Sequence, residues 1–206
     1  MPDGDQEAAD RGRGPEDSDR TVVEEPADWS ETGWLLLTYR IPSEPSRLRA
    51  GVWRRLKGHG AIYLQNSVAA LPDTSAHERL LRRLRAEIGD LGGTAQLFRS
   101  AALAGGGDVV LAYNAARDDE YEELLDKCQD FLAEIARETA AGHTTYGELE
   151  ENDEDLAKLR RWVAKIDERD VLDAAAAETA AAAIERCAAA LEEFAQRVYG
   201  ADPDAR

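Results

Sequence analysis

The spacing of apolar positions along the chain divides it into three stretches. Residues 1–32 hold almost no large apolar side chains and are rich in Asp, Glu, Gly, Arg, Pro and Ser. Nothing there can offset the entropy of ordering, so a disordered acidic tail is expected. At 34–41 the run WLLLTYRI, closed by Pro42, combines Trp, Tyr and Thr in a short apolar block. That pattern predicts a buried strand. The following SEPSRLRAGVWRRLKGHG, 43–60, has Pro45 where a first turn would lie and Gly58 and Gly60 at its end, which predicts a helix. AIYLQ (61–65) and SVAALP (67–72) meet at Asn66-Ser67, as a tight hairpin would. Ser75 and Glu78 read as a capping box ahead of Leu80, Leu81, Leu84, Ile88 and Leu91, a helical ladder that stops at Gly92-Gly93. TAQLFRS, 94–100, completes the order strand, helix, strand, strand, helix, strand, which is that of a ferredoxin-like fold.

After Gly105–Gly107, read as a flexible link, the period turns helical at Asp108 and stays so apart from a break near Gly142. Tyr121, Leu124, Leu125, Cys128, Phe131, Leu132 and Ile135 form one stripe. Thr145 and Glu148 offer a second capping box before Leu149, Leu156, Leu159, Val163 and Ile166, and Ala180, Ile184, Cys187, Leu191, Phe194 and Val198 form a third stripe ending at Gly200. Three amphipathic helices need partner faces, so a helical bundle or antiparallel hairpin is expected. The expected fold class is therefore α+β: a ferredoxin-like βαββαβ module at 33–100, an α-helical extension at 101–200 and a short disordered tail at 201–206. One small sheet can hardly cover three stripes, and a homodimer is the corresponding expectation.

Charge alters this picture in one place. The chain carries 42 acids and 25 Lys and Arg, for a net charge of −17, which at first argues against nucleic acid. The distribution is uneven: residues 1–33 sum to −8, residues 34–100 to +6 and residues 101–206 to −15. Since fields are screened beyond about 10 Å at moderate salt, the locally basic middle is a better guide to partners than the total. No apolar run approaches the roughly 18 residues of a membrane span, and the acidic N-terminus offers no secretory or transit signal, so a soluble, cytoplasmic protein is expected. Cys128 and Cys187 each fall at an apolar position of a helical stripe, which predicts buried thiols.

Catalytic and cofactor chemistry find no foothold in the sequence. His59, His77 and His143 lack a second ligand at i+3 or i+4, and no Cys, His and carboxylate spacing suits zinc. Gly105–Gly107 lacks the Gly-Lys-Ser/Thr of a phosphate-binding loop, and neither Ser46 nor Ser67 stands in an elbow motif. The acidic run 148–155 reads as a solvated helix start. Neither enzyme, metal nor cofactor is expected; an enzyme would need a pocket gathering Arg49, Tyr39, Gln65 and a carboxylate of the helical part.

The first helix is the stronger candidate. At 100° per residue Leu48, Val52 and Leu56 face inward, while Arg47, Arg54 and Lys57 fall within one outward arc of about 80°. The same wheel sets Arg49 between Leu56 and Trp53 on the apolar side, where an unpaired charge is costly and a partner, snorkelling or a ligand is expected. The stripe is open to two readings, a solvated face or a contact with phosphate or another anion. Arg79, Arg82, Arg83 and Arg85 add charge on the second helix, where the same two readings apply.

Pro42, Ser43, Pro45, Ser46, Arg49, Trp53, Arg54, Lys57, Gly60, Ala61, Tyr63, Leu64, Gln65, Leu71 and Pro72, within WLLLTYRIPSEPSRLRAGVWRRLKGHGAIYLQNSVAALP, resemble the opening of the N-terminal domain of the chromate-resistance regulator family, ChrB. A second block, YGELEENDEDLAKLRRWVAKIDERDV at 146–171, carries Arg160, Arg161, Trp162, Arg169 and Asp170, with Asn114, Arg117 and Tyr121 between the two, so the likeness runs over about 33–200. The resemblance implies a transcriptional regulator associated with DNA and responsive to chromate or another oxyanion. Taken with the basic stripe of the first helix, this makes Arg47, Arg49, Arg54 and Lys57 the candidate DNA- or anion-binding residues, with Trp53, Tyr63, Gln65, Arg160 and Arg161 in support. Longer members carry a further C-terminal domain; ending at Arg206, this chain is expected to correspond to the N-terminal half. The rival expectation is a non-catalytic protein-interaction module of a stress-response system, its basic stripe docked on an acidic partner or on acidic helices across a dimer.

Overall fold

The computed structural model describes residues 32–42, 44 and 46–201, with side chains as far as Gly200. Most of the expected acidic N-terminal tail and all but the first residue of the expected C-terminal tail lie outside this span. The elements are β1 (Trp34–Arg40), α1 (Ser46–Gly58), β2 (Ile62–Gln65), β3 (Val68–Pro72), α2 (Ser75–Asp90), β4 (Thr94–Ser100), α3 (Gly106–Ala141), α4 (Tyr146–Asp167) and α5 (Ala177–Ala201).

The four strands form one antiparallel sheet in the order β2-β3-β1-β4, with Leu35 opposite Leu71 on one side and Arg99 on the other. With α1 and α2 as the crossovers, this is the ferredoxin-like arrangement that the element order predicts. Alternation along β1 divides its side chains between two faces. Leu35 and Leu37 join Ala69, Leu71, Val52, Leu56, Leu80, Leu81, Leu84 and Ile88 in a core beneath α1 and α2. On the other face Trp34, Ile62 and Ala70 are covered by Val110 and Tyr113 of α3, with the Trp34 and Tyr113 rings edge to face at 5.9 Å. Beyond this cover, Phe98 and Leu64 remain 49% and 40% exposed.

The three long helices bury their stripes against one another. Tyr121, Leu124, Cys128, Phe131 and Ile135 of α3 meet Leu156, Leu159 and Ile166 of α4 and Ala180, Ile184, Cys187, Leu191, Phe194 and Val198 of α5 in one core. The bundle closes within a single chain, and the three stripes cover one another there. Both cysteines are free and buried, with Cys187 Sγ 3.6 Å from the Cys128 carbonyl oxygen.

Three local expectations are corrected. The cap of α2 is Thr74, whose hydroxyl accepts from the His77 amide, rather than Ser75; Glu78 is drawn instead to Arg82 and Arg99. Gly105–Gly107 is no free link: Gly105 caps α3 in the left-handed region, and Gly106 and Gly107 form the first turn of that helix. Burial of Val110 and Tyr113 against the sheet anchors α3 and outweighs the weak helix preference of glycine. The first helix begins at Ser46 and ends at Gly58. By contrast Thr145 caps α4, accepting from the Glu148 amide as expected.

Candidate functional site

The outward arc of α1 is an exposed positive surface. Arg47, Arg54 and Lys57 are all exposed, and none has a hydrogen bond or ion pair among the described residues. Their neighbour Arg55, by contrast, is ion-paired with Glu87 of α2.

Arg49 departs from expectation. Only Val52 and Leu56 of α1 are buried, so the buried arc is too narrow to include it. Arg49 is exposed and lines a shallow hollow with Tyr39, Arg40, Ile41, Ala50, Trp53 and Ser67. Trp53 is 50% exposed beside it. Tyr39 and Arg49 thus meet, but neither Gln65 nor a carboxylate of the helical part lines that hollow, and the gathering an enzyme would need is not formed there.

Tyr63 is a packing residue. Its hydroxyl lies 2.9 Å from that of Tyr39, and burial, reinforced by this hydrogen bond, raises its pKa far above the ordinary phenol value. Gln65 is exposed at the irregular end of β2. Arg160 and Arg161 are exposed on α4, with no hydrogen bond or ion pair among the described residues.

Gly60, Asn114, Arg117, Tyr121, Arg169 and Asp170, which also carried the family likeness, converge where the sheet module meets the bundle. Arg117, 1% exposed, donates from Nη1 to the Gly60 carbonyl at 2.9 Å and from Nη2 to Glu120 at 2.6 Å, and lies over the Tyr113 ring. Glu120 is ion-paired with Arg169 as well, and the Tyr113 hydroxyl donates to the Arg169 carbonyl. Asn114 donates to the Leu172 carbonyl, Tyr121 to Asp167 and Asp170, and the Asp170 carboxylate accepts from the Ala174 amide. Gly60 makes this convergence possible. It sits at φ +84°, and a Cβ there would lie 2.7 Å from Arg117 Nη1 and 3.2 Å from Arg169 Cβ. Buried guanidinium groups are tolerated when paired and hydrogen-bonded, and these groups clamp the C-terminal end of α1 to α3 and the segment after α4.

Beside this clamp is a cleft of about 730 Å³ lined by Gly58, His59, Ala76, His77, Arg79, Leu80, Arg83, Lys165, Glu168 and Arg169. His77 is 8% exposed, and its Nδ1 lies 2.8 Å from the Pro72 carbonyl oxygen. A carbonyl only accepts, so Nδ1 carries the proton of the neutral ring. Burial, then His77, Arg169 and Arg83, lower the pKa of His59 below its ordinary value of 6.5. Sequence spacing gives no sign of this cleft, because its polar residues come from the end of α1, from α2 and from the end of α4.

A family model described as "Protein ChrB, N-terminal" matches residues 49–204, a span that takes in Arg49, Arg54, Lys57, the whole clamp and all residues of the cleft. No curated protein and no solved structure matches the chain.

Proposed function

The chain belongs to the ChrB N-terminal family and is a ChrB-related chromate-resistance protein; on that premise we propose that it is a cytoplasmic transcriptional regulator that meets DNA through the outward arc of α1. The observation that carries this reading is the exposure of Arg47, Arg54 and Lys57 without acidic partners among the described residues, although the chain holds 42 acids. Exposed cations left unpaired on an acidic body are available to phosphates, and each contact displaces a condensed counterion. The reading takes chromate or a related oxyanion as effector, and it involves no catalytic step.

Fluorescence anisotropy on the DNA upstream of the encoding operon tests the proposal. Replacing Arg54 and Lys57 by Ala should weaken binding across all sequences and reduce the salt slope by about two units. The thermal midpoint should hardly move, since exposed charges add little to stability. An unchanged affinity in the double variant returns the stripe to solvent and sinks the reading.

A protein-interaction module is the second reading, favoured by Phe98 and Leu64 on the uncovered part of the sheet and by Leu103 and Leu111 nearby in the chain, 105% and 66% exposed. In that reading the arc of α1 docks on acids of a partner or of a second copy. Tight binding to an acidic protein fragment, without binding to DNA, would support it.

A further inference from the structure

We infer that the cleft between the end of α1, α2 and the end of α4 is a binding site for a tetrahedral, doubly charged oxyanion. Five basic residues and His77 line it, against the single carboxylate of Glu168. Arg79, Arg83 and Lys165 are exposed and have no partner among the described residues, so their donors are free. Like charges drawn into a concave, partly desolvated space repel one another more than they would in bulk water. A dianion removes that repulsion and accepts their hydrogen bonds.

His77 adds a second ring to the wall of the cleft. More than nine-tenths buried, it is held through Nδ1 by the Pro72 carbonyl, which leaves Nε2 with no partner among the described residues. Nε2 can donate only when the ring is protonated, and an adjacent dianion favours that form. The same holds for His59, whose proton is held loosely because of burial and the nearby His77, Arg169 and Arg83. The carbonyl ends of α1 and α4 border the cleft and by themselves oppose an anion. Arg117 and Arg169 reduce that opposition by donating to the Gly60 and Gly58 carbonyls.

The inference rests on the regulatory reading only for the role of the ligand; binding itself is independent of it. Two sources share the chemistry, a free inorganic oxyanion and a backbone phosphate of DNA.

Calorimetric titration of the full chain with sulfate, whose charge is constant between pH 6 and 8, tests the site at fixed ionic strength. Sulfate should saturate at one site per chain, with proton uptake and tighter binding at pH 6 than at pH 8. NMR should show the His59 ring titration moving upward and the His77 ring resonances shifting as sulfate binds. Arg79→Gln with Arg83→Gln should weaken sulfate at least tenfold, whereas Arg47→Gln with Arg54→Gln should leave it within twofold. Chromate and phosphate should compete with sulfate.

If instead free oxyanions do not bind but the Arg79 and Arg83 variant loses DNA affinity, the ligand is a backbone phosphate and the site stands. Equal losses in the two double variants would reduce the cleft to part of a general field and overturn the inference. So would saturation by none of the three oxyanions together with unchanged DNA binding. Sulfate binding in a protein that ignores DNA would leave the site in place and remove the regulatory reading alone.

Discussion

Among single residues, Glu120 neutralises the buried Arg117 and the partly buried Arg169 at once. Glu120→Ala leaves the buried guanidinium of Arg117 with a backbone carbonyl as its hydrogen-bond acceptor and no counter-charge. Breaking a fully buried pair costs about 3–5 kcal/mol; solvent reaches Glu120, so a loss of about 2 kcal/mol in urea unfolding is expected. A loss below about 0.5 kcal/mol would mean that the clamp contributes little. The cysteines give a second test. Burial, then Cys128, pushes the Cys187 thiol up to about 12, and burial raises Cys128 too. Neither should react with a disulfide reagent at pH 8 until the protein is denatured, and fast labelling of the native state would contradict this. His59 yields a third. Its folded pKa lies below its unfolded one, so the stability it contributes is intact above about pH 6.5 and is lost as pH falls through the lowered value. Thermal midpoints measured from pH 7.5 to 5 should show this loss, and saturating sulfate should reduce it.

At the level of elements, helix ends matter as much as helix faces. Thr145→Ala removes the hydroxyl that accepts from the Glu148 amide and should lower stability by about 1 kcal/mol; Thr145→Asp, which keeps an acceptor, should restore most of it. The apolar ladders were legible because burial and periodicity coincide: Leu80, Leu81, Leu84 and Ile88 of α2, and every stripe position from Ala180 to Val198 of α5, are buried. Ends were less legible. Asp73, Thr74 and Ser75 are three consecutive acceptors, and only the backbone geometry selects Thr74. The start of α3 at Gly106 depends on Val110 and Tyr113 finding the sheet, a long-range contact with no local signature. On α1, Arg47, Arg54 and Lys57 are exposed, as their angles around the helix predict. Arg49 departs from its angle because Trp53 beside it is half exposed and does not extend the core. The cleft could not be read at all, since it depends on the ends of helices far apart in sequence.

For the whole molecule, the sheet module and the bundle share α3. A chain cut after Ser100 would keep all four strands but lose the cover that Val110 and Tyr113 give to Trp34, Ile62 and Ala70. Such a fragment should be poorly soluble and show weakened near-ultraviolet circular dichroism; a soluble, cooperatively folding fragment would show that the module is self-sufficient. Helix α3 spans 36 residues, or about 54 Å at 1.5 Å per residue. Arg117 fastens it to the end of α1 about a third of the way along. The helix is therefore a lever with unequal arms, the shorter resting on the sheet and the longer reaching about 36 Å to Ala141. A tilt of about 5° around that fulcrum would carry the far tip roughly 3 Å while the near tip travelled about half as far. Small movements near the fulcrum would reach the distant end of the bundle magnified.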